Sequence, residues 1–79
     1  MSVQIRLLGV LKTFQPSENE EGWWEIEAQG KTIEEILSTT NLSKSNIGYI
    51  VLVNGIRKSP RYILKEGDKV NIMPLVAGG

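Results

Sequence analysis

Neither cysteine nor histidine occurs anywhere in the 79 residues. Without cysteine there is no disulfide framework, no thiolate nucleophile and no sulfur-based metal site. Without histidine, a common general base and a common transition-metal ligand are missing too, which argues against an enzyme. No Gly-rich phosphate loop, internal repeat or low-complexity segment is present. No apolar run approaches the length of a membrane span, and Met1-Ser2-Val3-Gln4-Ile5-Arg6 lacks the layout of a secretion signal, so the expected location is cytoplasmic. Outside a secretory route, the glycosylation pattern Asn41-Leu42-Ser43 has no consequence. Net charge is missing as well. Nine basic residues balance nine acidic ones, which removes the overall field that would draw nucleic acid or an anionic membrane surface.

What remains is a chain sized for one small domain with one core, expected to span 1–79 with a flexible tail at 76–79. Hydrophobic residues are 41% and charged residues 23%, ordinary values for a globular protein, so neither disorder nor a fibrous class is indicated. The charges are unevenly placed. Seven acids fall between Glu18 and Glu35, whereas Arg57, Lys58, Arg61, Lys65 and Lys69 crowd the final third. Such runs are either solvated faces or a binding patch.

Val3, Ile5 and Leu7 alternate with Gln4 and Arg6, the period-two pattern of a strand with one buried face. From Gly9 to Gly22 polar residues, Pro16 and three glutamates predict a loop with a short turn around Leu11 and Phe14 and a mobile tip. Trp23 to Gln29 alternates again, with Trp24, Ile26 and Ala28 on one face. Trp23 then falls on the polar face, either packed under the loop or held out for a partner. Gly30 breaks the strand, and Thr32 with Glu35 three residues later forms a capping-box pattern. Ile33, Ile36, Leu37 and Thr40 supply one buried stripe, predicting a helix of two to three turns across a sheet. Glu34 and Glu35 suit the helix start better than acid–base catalysis.

Beyond a loop in which Leu42 and Ile47 are expected to reach the core, Tyr49-Ile50-Val51-Leu52-Val53 is a continuous apolar strand. It is either covered on both sides or carries an apolar exposed patch. Asn54-Gly55 is a hairpin signal because both residue types tolerate positive φ, so Ile56 to Lys58 should turn back. Tyr62, Ile63 and Leu64 are expected to return to the core. Glu66-Gly67-Asp68 turns once more, and Val70 and Ile72 begin the last strand.

The order strand, strand, helix, strand, short strand, strand predicts an α+β fold of the β-grasp (ubiquitin-like) type. It comprises one mixed sheet of four to five strands with a helix across one face and the first and last strands parallel at its centre. The sequence ends on Gly78-Gly79, a thin carboxylate whose carbonyl, once adenylated by a partner, is open to a sulfur or amine nucleophile.

The run Val53-Asn54-Gly55, then Leu64 through Gly79, together with Thr32-Ile33-Glu34-Glu35-Ile36-Leu37, resembles the ubiquitin-like sulfur carriers. These are the small subunit of molybdopterin synthase (MoaD) and the thiamine sulfur carrier (ThiS). The resemblance implies a carrier that is a substrate and subunit of partner enzymes, with no bound cofactor. Gly79 would be adenylated by a MoeB- or ThiF-like activating enzyme using ATP, then converted to a thiocarboxylate that donates sulfur in molybdopterin or thiamine biosynthesis. Its second partner would be the large subunit of molybdopterin synthase or thiazole synthase. Gly78, Ala77 and Val76 would be recognised as a tail. Leu75 and Met73, with Val51 or Val53, would form an apolar docking surface or else pack in the core. The short helix resembles ThiS and Pro74 through Gly79 resembles MoaD, so both pathways stay open. Two other classes also stay open: a protein modifier joined through Gly79 to target lysines, and a passive β-grasp binding module using the late basic residues.

Overall fold

The computed structural model describes residues 2–75. Five strands form one sheet: β1 (Val3–Leu7), β2 (Trp24–Ile26), β3 (Tyr49–Val53), β4 (Ile56–Lys58) and β5 (Lys69–Pro74), in the spatial order β2-β1-β5-β3-β4. β1 and β5 run parallel, with Gln4 opposite Lys69 and Leu7 opposite Ile72, while the other neighbours are antiparallel. The first and last strands therefore lie side by side in the sheet, with β5 at its centre, the arrangement of a β-grasp fold.

The one α-helix among the described residues, α1 (Ile33–Leu37), begins as its sequence predicts. Thr32 Oγ1 accepts the Glu35 N–H at 3.1 Å, and Glu35 Oε1 accepts the Thr32 N–H at 3.0 Å. Its end comes sooner than the buried stripe suggests. Ser38, Thr39 and Thr40 each turn their hydroxyl back to the carbonyl three residues earlier, at 2.6, 2.7 and 2.8 Å. These bonds satisfy carbonyls that a longer helix would have used and close it after five residues. Thr40 then caps a 3₁₀ turn, Asn41–Lys44, that buries Leu42.

Ile33, Ile36 and Leu37 pack on Val3, Ile5, Leu7, Val51, Val53, Val70 and Ile72, the inward residues of the sheet. Leu11, on a second 3₁₀ turn (Gly9–Phe14), and Leu64 close the ends of this core. Two apolar residues depart from expectation. Ile47 is 37% exposed and Ile63 is 58% exposed, so neither anchors the core. Ile63 points out because its backbone bridges to Thr32 while Leu64 on the opposite parity fills the interior. The loop before β2 is fastened rather than loose at its tip. Gln15 Oε1 accepts the Leu7 N–H, its Nε2 donates to Ser17 and Gly22 carbonyls, and Asn19 Oδ1 accepts from Glu21 and Trp23.

The Asn54-Gly55 turn takes positive φ at both positions, 51° and 84°, as the hairpin signal requires. Beside it, buried Asp68 accepts from Asn54 Nδ2 at 2.9 Å, Tyr62 Oη at 3.1 Å and the Lys65 N–H at 2.9 Å. Asn54 Oδ1 accepts the Lys69 N–H in return. One carboxylate thus ties the β3–β4 hairpin to the turn that launches β5. Asp68→Ala should lower unfolding free energy by about 3 kcal/mol, since it strands the donors of Asn54 and Tyr62 in a part-buried site; urea titration measures it.

The Thr32 backbone N–H, then its hydroxyl, and more weakly Lys31, hold the exposed Glu35 carboxyl below the usual glutamate range against a smaller opposing effect of burial. A depressed carboxyl stabilises the fold above its unfolded-state value and loses that contribution as pH falls through the folded one. Glu35→Gln should therefore flatten the acid side of the stability–pH curve, measured by denaturation at a series of acidic pH values.

Candidate functional site

The end of β5 is the root of the expected tail. Val76, Ala77, Gly78 and Gly79 lie outside the described residues. What the structure places is the frame from which they leave. β5 is the central strand, hydrogen-bonded on both sides, and its end is gripped by two glycine-lined contacts. Pro74 lies opposite Tyr49, and its ring would be 3.3 Å from any Cβ added at Gly9, which also holds a φ of 58°. Leu75 donates its N–H to the Gly48 carbonyl at 2.9 Å and lays its side chain on Gly48. Neither glycine was singled out in the sequence, because each acts by proximity to a residue far along the chain.

The strand register assigns the apolar residues around this root to two faces. Val51 is 1% exposed and Val53 2% exposed, both turned toward α1 with Val70 and Ile72. They therefore cannot line a docking surface, and that expectation is corrected. Met73 stands on the opposite face, and its cross-strand partner is Ile50. Leu52 and Leu8 share that face, Leu8 beside β5 through its N–H bond to the Ile72 carbonyl. All four are partly exposed, and Leu75 is 58% exposed at the end of the row. An apolar strip consequently runs across the sheet's open face to the tail root. The sequence signal for Ile50 and Leu52 was the unbroken apolar run Tyr49–Val53, which has no polar residue to reveal which parity faces out.

On the other side of the root, a groove of about 320 Å³ lies among Glu34, Leu37, Leu42, Ile47 and Tyr49. Burial first, and then the charge of Glu34, push the Tyr49 phenol above its ordinary value. Glu35 is engaged in the helix cap, and Glu34 is an exposed residue of the first helical turn. Among the described residues no cluster of His, Cys, Asp or Glu could hold a metal ion, and no helix is long and apolar enough to cross a membrane.

The model of the ThiS family matches residues 5–79. The chain belongs to the ThiS family. It is thus placed with ubiquitin-like sulfur carriers, small proteins that work with activating and biosynthetic partners. Among solved structures it is similar to SAMP1 from Haloferax volcanii, with 19% identity, a TM-score of 0.69 and full coverage of both chains, a likeness of fold. No curated protein matches the sequence.

The two faces should respond oppositely to charge. Val51→Asp should abolish cooperative folding, because it buries an unpaired carboxylate in the core. Met73→Asp should cost no more than about 1 kcal/mol, because its side chain keeps access to water. Thermal unfolding of the two variants distinguishes them.

Proposed function

We propose that the protein is a sulfur carrier whose Gly79 carboxylate is the reacting group. A carboxylate oxygen attacks the α-phosphorus of ATP in the active site of a MoeB- or ThiF-like enzyme. Pyrophosphate leaves and an acyl-adenylate forms. Sulfur from a donor, as a hydrosulfide equivalent, adds to the carbonyl, AMP departs, and a thiocarboxylate remains. That sulfur passes to a small precursor held by the large subunit of a molybdopterin synthase or by a thiazole synthase. ATP belongs to the activating partner, and the carrier itself contributes a substrate rather than catalytic side chains.

The observation that carries this reading is the ThiS match over residues 5–79, on a sheet whose central strand delivers the chain to Leu75. Four residues beyond Leu75 reach at most about 13 Å when extended. That is enough to enter a partner's active site while the folded body stays outside. Gly78 and Gly79 lack Cβ atoms and suit a narrow channel, with Val76 and Ala77 at its mouth. The strip of Leu8, Ile50, Leu52, Met73 and Leu75 supports docking beside that channel. The same acyl-adenylate would also accept a lysine amine, which is the protein-modifier reading.

Incubation with a competent activating enzyme, ATP and a sulfur donor should replace one oxygen of the carrier by sulfur, read by intact mass. Removal of Gly79 should abolish that exchange without lowering the melting temperature. An unchanged mass for the parent chain would overturn the carrier reading, and the tryptic remnant 70–79, cut after Lys69, on lysines of other proteins would favour the modifier.

A further inference from the structure

Trp23 has no part in the carrier chemistry, yet two cations converge on it. The Arg6 guanidinium carbon lies 4.2 Å from the indole centroid and the Lys69 ammonium 5.6 Å from it. Trp23 stands on the open face, since Trp24 beside it points into the core. Arg6 comes from β1 and Lys69 from the start of β5, adjacent strands whose parallel pairing brings both side chains to that face. The partly buried ring is therefore held beside a charge cluster on that face.

Among the described residues, neither cation is paired with a carboxylate. Arg6 Nε donates to Asn71 Oδ1 at 3.1 Å, and together with the stacked indole this fixes the guanidinium plane. Its terminal nitrogens keep their donors, in the fork geometry that fits a carboxylate. Glu25, across from Gln4 on the neighbouring strand, accepts from Gln4 Nε2 at 3.2 Å. Two like charges on one ring repel, and the indole offsets only part of that repulsion. An anion set between them would relieve it and use the unspent donors. Along the same row, Asn71 pairs with Leu52, so the cluster borders the apolar strip. An aromatic ring and an arginine next to apolar surface is the composition found at the energetic centre of protein interfaces.

We propose that Arg6, Lys69 and the Trp23 ring form a recognition site for an aspartate or glutamate side chain of a protein partner docking on the open sheet face. A nucleic-acid backbone fits less well. It needs several phosphate contacts along a basic track, whereas this site offers two cations flanked by Glu25 and by apolar residues, on a chain with no net charge. The inference is independent of the chemistry at Gly79, so its failure and that of the carrier reading are separate results.

The test is an NMR titration of the full, ¹⁵N-labelled chain, reading the Trp23 indole N–H and the Arg6 and Lys69 amides, with the buried Trp24 indole as internal control. The probes are a blocked Leu-Glu-Leu-Asp-Leu peptide, its uncharged Leu-Gln-Leu-Asn-Leu counterpart and a short single-stranded oligonucleotide. The acidic peptide should shift the Trp23 signal in the low millimolar range and less so at high salt, while the uncharged peptide leaves it unmoved. Arg6→Gln and Lys69→Gln should each weaken the response about tenfold, the loss of one charge-assisted hydrogen bond, with the Trp24 signal unchanged. The proposal is overturned if the acidic peptide gives no shift, if both peptides act alike, if the oligonucleotide binds more tightly, or if both glutamine variants respond like the parent.

Discussion

The parallel pairing of β1 with β5 is the constraint on which the rest of the molecule depends. Parallel neighbours cannot be joined by a tight turn, so the whole of the intervening chain has to serve as the connection. That connection carries α1 across one face and leaves the other face open. Because β5 is also paired with β3, it has strand neighbours on both edges, and Leu75 follows directly from this central element of the fold. For a carrier this is a useful asymmetry. Pairing with β3 and the bond to Gly48 hold Pro74 and Leu75 to the sheet.

The polar contacts reinforce the same element. Asp68 and Asn54 fasten the β3–β4 hairpin to the start of β5, and Gly9 and Gly48 allow close packing on Pro74 and Leu75 at its end. Both ends of the central strand are thus located by contacts from remote parts of the sequence. On the open face, the pairing also decides the company each side chain keeps. Arg6 and Lys69 meet over Trp23 only because β1 and β5 are neighbours and β2 pairs with β1 at the register that sets Trp24 opposite Ile5.

Membership of the ThiS family and the β-grasp sheet give the end of β5 a physical context: an apolar strip that runs to Leu75 and a charged cluster beside the strip. The strip and the cluster have different physical roles. Apolar surface supplies association energy without direction, and a stacked guanidinium supplies direction and discrimination among partners.

Local signals were legible wherever a short stretch decides its own conformation. Thr32 and Glu35 cap a helix because each reaches the other's backbone within one turn, and Asn54-Gly55 turns because both residues accept positive φ. The phase of β1 was equally readable, since Gln4 and Arg6 mark the outward parity. The early end of α1 was written in Ser38-Thr39-Thr40 but hidden by the stripe that runs through it. In Tyr49–Val53 both parities are apolar, so nothing local separates Val51 and Val53 from Ile50 and Leu52. Pairing with β5, where Asn71 alternates with Val70 and Ile72, is what turned the valines inward. The surroundings of Trp23 were likewise settled by residues 17 and 46 positions away, Arg6 and Lys69. Sequence alone determined the elements, because their conformational preferences are local. Tertiary structure decided the faces, because a side chain's partner across a sheet is set by register and not by its neighbours in the chain.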